Sequence, residues 1–170
     1  HFVETADDWD YFINVSGTCY PLWPMSTVKA RLAETPERNY VKCTHMSELP
    51  AYFRRRKDFF SFRLGNRLVR TPVPWRPPRG IRADWHGSAW HILTRPFCEW
   101  LLSDPVAAKI MSFHKYTKMP MEMLFQTLIQ NSPFVETVHG HMRNILWQPH
   151  SPEEHPRFSL PVRRSISQCF

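Results

Sequence analysis

The sequence lacks any run of some 18 consecutive apolar residues, so no helical membrane span lies within its 170 residues. It lacks a secretory signal and opens on His1 rather than Met, as expected of a piece of something longer. Glycine is scarce, five against sixteen prolines, a balance that predicts long ordered loops between short elements. The four cysteines, Cys19, Cys43, Cys98 and Cys169, form no CxxC pair, which argues against a zinc site. Their wide spacing fits one or two disulfides in an oxidising compartment, or four buried thiols. His139-Gly140-His141 brings two imidazoles together without a third ligand nearby, and reads as a loop or strand-end pair. Acids are the minority charge, 15 against 22 Lys and Arg, for a net charge of +7.

What is present is globular. Aromatics at 14% and apolar residues at 42% exclude intrinsic disorder, and 170 residues make at most one domain with a real core. The positive charge admits an anionic partner: nucleic acid, a nucleotide phosphate, an acidic glycan or a membrane surface. The basic residues gather at Arg54-Arg55-Arg56-Lys57, at Arg76, Arg79 and Arg82, and at Arg163-Arg164. No nucleic-acid motif accompanies them, and each cluster reads as a solvated basic face.

Along the chain, Trp9–Val15 has the aromatic and β-branched content of a strand, broken by Ser16-Gly17-Thr18. Asn14 heads a formal glycosylation sequon but is expected to be buried in that strand. Ser26 is the expected N-cap of a helix over about 27–34. A short strand follows at 39–43, residues 44–60 are ambiguous, and 59–67 reads as a strand into a turn. Residues 70–82, with four prolines, read as a loop. A strand over 88–93 leads to Thr94, which can cap a helix over 95–103, and Asp104-Pro105 opens another to about 116. Strands are expected at 134–138 and 142–147.

The segment 118–133 carries the chemistry. Pro120 suits the first turn of a helix whose apolar face is Met121, Leu124, Phe125 and Leu128, with Asn131-Ser132-Pro133 as its stop. Glu122 falls in that first turn, where the helix dipole keeps a carboxylate ionised, the state a general base needs. The plainer account is that such a Glu stabilises its own helix.

Four blocks in order resemble one family. They are Trp9-Asp10-Tyr11-Phe12-Ile13-Asn14-Val15-Ser16-Gly17 with Tyr20-Pro21-Leu22; Gly87-Ser88-Ala89-Trp90 running to Arg95; Pro120-Met121-Glu122 with Phe125-Gln126-Thr127-Leu128 and Asn131-Ser132-Pro133; and Arg143 to Trp147. Together they resemble the core-2/I-branching glycosyltransferases, which include branching β-1,6-N-acetylglucosaminyltransferases and peptide O-xylosyltransferases. The resemblance implies an α/β fold, part of a GT-A-like domain with a mixed sheet flanked by helices. Residues 1–147 would be the C-terminal part of the catalytic domain and 148–170 a diverged or truncated tail. It implies an inverting, metal-independent transferase with no cofactor. UDP-sugar is the co-substrate, and a glycan or glycoprotein is the acceptor. Glu122 would be the catalytic base, and Ser16, Gly17, Cys19, Tyr20, Gly87, Ser88, Trp90, Arg143 and Trp147 the substrate-binding residues. The longer protein would be a type II membrane protein of the Golgi lumen, anchored outside this chain.

The sequence departs from the family pattern at specific places. Cys19 stands where the family has a donor-side Asp, and Ala89 where the xylosyl branch has an Asp, so N-acetylglucosamine is expected over xylose. The uridine-binding half would precede His1, and the family's pyrophosphate-holding Arg-Lys pair has no clear counterpart, though Arg163-Arg164 could substitute. The chain alone is therefore expected to be inactive. A non-catalytic remnant of the family is the first alternative. A basic nucleic-acid-binding module is the second, and it leaves the four ordered blocks unexplained.

Overall fold

The computed structural model describes residues 8–15, 19–140, 143–149 and 163–169. In chain order the elements are β1 (Tyr11–Ile13), β2 (Tyr20–Pro21), α1 (Met25–Ala33), β3 (Asn39–Val41), β4 (Thr44–His45), α2 (Ala51–Arg54), β5 (Phe59–Leu64), β6 (Arg67–Pro74), β7 (Trp85–His86), β8 (His91–Thr94), α3 (Arg95–Ser103), α4 (Pro105–His114), α5 (Leu124–Gln130), β9 (Val138–His139), β10 (Arg143–Pro149) and β11 (Arg163–Cys169). Short 3₁₀ turns occupy Met46–Glu48, Pro120–Glu122 and Val135–Thr137. The chain is α/β, as expected. It divides into two compact units, one of residues 1–13 and 37–141, the other of residues 14–36 and 142–170.

The first unit is organised on a mixed sheet in the order β1-β8-β3-β9. β8 runs antiparallel to both β1 and β3, and β9 runs parallel to β3. The first strand pairs with the one after Gly87-Ser88, with Tyr11 opposite Thr94 and Ile13 opposite Ile92. All four residues of β8 and all three of β3 are buried, as suits central strands covered on both faces. Val41 and Leu93 meet Phe97 and Cys98 of α3, Ala107 and Ile110 of α4, and Leu128 and Ile129 of α5 in one apolar cluster. Each fully buried large side chain there contributes roughly 1.5–3 kcal/mol.

Polar side chains staple this core. Asn39, fully buried in β3, accepts at Oδ1 from the Thr94 amide at 2.8 Å and donates from Nδ2 to Thr137 Oγ1 at 2.9 Å. His114 of α4 faces Thr127 of α5, with Nε2 3.1 Å from Thr127 Oγ1. Burial, reinforced by the Lys57 charge, pushes the His114 pKa down to about 4, so the imidazole is neutral. Asn131 ties the end of α5 to the 82 loop, donating to the Arg82 carbonyl and accepting from its amide.

The second unit holds β2, α1, β10 and β11. Its sheet has the order β10-β11-β2, with β10 and β11 antiparallel and β11 parallel to β2.

Several expectations need correction. Ser26 is not the N-cap of α1. Pro24 takes that place with an extended backbone, its carbonyl accepting from the Thr27 and Val28 amides. Residues 70–74 are not loop but the end of β6, which pairs with β5 in a two-stranded ribbon. Prolines are tolerated there because no further strand needs their N–H. Gly65, at φ +56, turns that ribbon. The strand expected at 134–138 is a 3₁₀ turn followed by β9, because Ser132 and Thr137 bond to the local backbone instead. The strand expected from 88 begins at His91. Asn14 lies just past β1 and is half-buried rather than enclosed in the strand. Cys43 and Cys98 are free thiols, and burial pushes both up to about 11. Among the described residues no helix is long and apolar enough to cross a membrane.

Candidate functional site

Glu122 does not sit in an α-helix. Met119 precedes Pro120, a position biased away from the right-handed helical region, and adopts a left-handed conformation at φ 56 and ψ 55. The chain then makes a 3₁₀ turn over Pro120–Glu122, breaks at Met123, and starts α5 only at Leu124. A bulky residue at positive φ is strained, and strain of this kind gathers at functional sites. The turn is secured from both sides. The Glu122 amide donates to the Met119 carbonyl, and the Glu122 carbonyl accepts from the Gly87 amide at 2.9 Å.

The close approach of Gly87 explains why a glycine is needed. A Cβ there would stand 1.7 Å from the Lys42 carbonyl oxygen. The family resemblance assigns this glycine to substrate binding. Here the partner is the backbone of the strand-end next door. Ser88 belongs to the same junction, its carbonyl accepting from Gln126 Nε2 at 2.8 Å and its hydroxyl from the Trp90 amide at 3.1 Å. Trp90 is half-buried in the irregular segment before β8 rather than in a strand.

Two residues that carry no mark in the sequence complete the site. His86, at the end of β7, is placed by pairing with Thr44 of β4. Arg56 follows α2, and its carbonyl is held by the Lys118 amide at 3.0 Å. The Arg56 guanidinium donates to Glu122 Oε2. His86 Nε2 lies 3.1 Å from the same oxygen, to which its N–H donates. Phe53 lies against both partners of Glu122, with the Arg56 guanidinium 4.5 Å from its ring centre and the His86 ring 4.6 Å away, edge on. The basic cluster at 54–57 is therefore not one solvated face. Arg54 and Arg55 are exposed, whereas Arg56 pairs with Glu122 and Lys57 with Asp58 and Asp84.

The Glu122 side chain is 26% exposed. Burial alone raises its pKa, but the His86 hydrogen bond and the Arg56 charge outweigh it, leaving the carboxyl below the ordinary carboxylate range. Both partners bind Oε2, and Oε1 has no hydrogen bond among the described residues. The site thus presents an ionised carboxylate, anchored through one oxygen and free at the other.

The remaining expected site residues fall elsewhere. Ser16 and Gly17 lie outside the described residues. Cys19 is half-buried before β2, Tyr20 opens β2, and Arg143 and Trp147 are on β10 opposite Cys169 and Ser165. All four belong to the second unit. Glu122, Gly87, Ser88 and Trp90 belong to the first, where hydrogen bonds link Gly87 to Glu122 and Trp90 to Ser88.

The fold and this site define an α/β domain that holds one partly buried carboxylate between an arginine and a histidine. The model of the Core-2/I-Branching enzyme family matches residues 1–167, and the chain belongs to that family. It is 32% identical over 150 residues to rat xylosyltransferase 2, covering 82% of this chain and 16% of the relative. Mouse xylosyltransferase 2 is 33% identical over 135 residues, covering 74% of this chain and 14% of the relative. Rat xylosyltransferase 1 is 31% identical over 150 residues, with 82% of this chain and 17% of the relative covered.

Proposed function

We propose that this chain carries the acceptor-activating side of an inverting glycosyltransferase that uses a UDP-sugar and no metal. The observation that carries the reading is the Glu122 carboxylate, held through Oε2 by Arg56 and His86, with no hydrogen bond to Oε1 among the described residues. An acceptor hydroxyl donates to Oε1. Its oxygen attacks the anomeric carbon, the bond to the UDP oxygen breaks, and UDP leaves with the electron pair while the proton passes to Glu122. A carboxylate held below its ordinary range is a weak base. It takes the proton late, when bond formation has already made the attacking oxygen acidic. Basic side chains would balance the charge growing on the leaving phosphate.

Ala89 supports N-acetylglucosamine as the transferred sugar, while the names of the relatives weigh toward xylose. Rates with the two UDP-sugars decide between them. On the family resemblance, a protein carrying this chain would act in the Golgi lumen.

Glu122→Gln tests the base. It preserves shape and hydrogen-bonding capacity but removes the proton acceptor. In a protein carrying the chain with its flanking sequence, turnover should fall by about 10²–10⁴-fold. Turnover within about threefold of wild type, below what general-base catalysis supplies, would reduce Glu122 to a structural residue.

A further inference from the structure

One buried titratable group takes no part in proton transfer yet bonds to both ends of the loop that carries Glu122. His114 closes α4 with its side chain buried, and each ring nitrogen faces a hydroxyl. Nδ1 lies 3.4 Å from Thr117 Oγ1, and Nε2 lies 3.1 Å from Thr127 Oγ1. Both threonines are buried as well, and the Thr117 hydroxyl donates to the His114 carbonyl at 2.9 Å. Thr117 stands at the entry to the loop. Thr127, within α5, grips its exit through an amide that donates to the Met123 carbonyl at 2.9 Å.

A buried polar group is costly unless it is paired, and a fully paired network specifies one arrangement where an apolar filler tolerates several. A neutral imidazole offers one donor and one acceptor, and a hydroxyl can meet either, so the two threonines satisfy the ring. The loop between them needs such a constraint. Met119 holds a left-handed backbone, a strained state that persists only where the surroundings over-determine it. Directly after Thr117, the Lys118 amide donates to the Arg56 carbonyl, so the entry to the loop is tied to the partner of Glu122. We propose that His114 is a positioning residue for Glu122: its imidazole clasps Thr117 and Thr127, and so fixes the turn that sets the carboxylate against Arg56 and His86. Its effect on turnover rests on the reading of Glu122 as the base, whereas the clasp itself does not.

Amide hydrogen exchange on the purified chain at neutral pH tests the clasp. Thr127→Val keeps the shape of the side chain and removes the hydroxyl, while Thr127→Ser keeps the hydroxyl. The amides to follow are those of Glu122, Met123 and Gly87, which donate to the carbonyls of Met119, Pro120 and Glu122. Thr127→Val should speed their exchange about tenfold, the size of one lost hydrogen bond in a local opening. It should leave the Thr94 amide, held by Asn39, unchanged. Thr127→Ser should exchange as wild type, and Thr117→Val, which opens the other end, should speed the same three amides. In a protein carrying the chain with its flanking sequence, Thr127→Val should lower kcat about tenfold and leave the acceptor KM within about twofold, as loss of alignment predicts. Thr127→Ser should keep the wild-type kcat. Unchanged exchange at the three amides, equal acceleration at Thr94, or failure of both valine variants to fold would overturn the clasp. An undiminished kcat in Thr127→Val where Glu122→Gln is inactive would overturn its positioning role. Failure of the base assignment shows separately, as turnover surviving Glu122→Gln.

Discussion

One added methyl group at Gly87 probes how Glu122 is held. The new Cβ would lie 1.7 Å from the Lys42 carbonyl oxygen, 2.8 Å from its carbon and 2.9 Å from Gln126 Nε2. The first two are backbone atoms, so no rotamer change relieves the contact. Either the end of β3 or the segment after β7 must move by more than an ångström-scale adjustment. Overpacking of this kind costs about 1–3 kcal/mol, and a clash with backbone on one side belongs at the upper end. For a chain of this size about 3 kcal/mol lowers Tm by roughly 6–12 °C. The same shift breaks the hydrogen bond from the Gly87 amide to the Glu122 carbonyl, displacing the carboxylate. Urea unfolding followed by tryptophan fluorescence and far-ultraviolet circular dichroism gives the stability. Gly140→Ala is the control, since nothing lies within 4 Å of its added Cβ, and it should stay within about 0.5 kcal/mol of wild type. Gly65→Ala should fall between, with open space but a φ of +56 that costs an L-residue roughly 1–2 kcal/mol. Should Gly87→Ala prove no more costly than Gly140→Ala, the close approach is wrong, and with it the placement of Glu122.

Stability should fall as pH drops from about 6.5 toward 4, because His114 titrates near 4 when folded and near 6.5 when unfolded, so acid favours the unfolded chain. The loss is of order 3 kcal/mol, and comparison of wild type with His114→Gln in urea titrations at each pH should isolate it. Arg56→Ala removes a charge that lowers the Glu122 pKa, so the acid limb of the pH–rate profile should move to higher pH, and an unmoved limb would detach Arg56 from the base. A chelator should leave turnover of the protein carrying this chain unchanged. A loss of about tenfold or more, of the size Lewis-acid stabilisation provides, would put a metal ion in the reaction.

The sequence by itself determined the local elements whose signals are local. Thr94 stands at the N-cap of α3 but makes no side-chain cap bond, Asp104 caps α4 through its carboxylate, and the helix ends read from them match to within a few residues. The buried run at β8 and the ordered blocks around Gly87 and Glu122 were equally legible, because motif and apolar pattern lie in neighbouring residues. The ionised state of Glu122 was also foreseen, but for a different reason. The helix dipole invoked for it is absent, since Met119 and Met123 interrupt the helix, and the pairing with His86 and Arg56 supplies the effect. Only the tertiary structure could decide that pairing. Arg56 and His86 stand 66 and 36 residues from Glu122, and in the sequence Arg56 is one of four consecutive basic residues with nothing to set it apart. Likewise, nothing in the sequence pairs Gly87 with Lys42, which lies 45 residues back in the chain. Hydrogen bonds and steric contacts act through space over a few ångströms, and only folding brings such distant residues within that range.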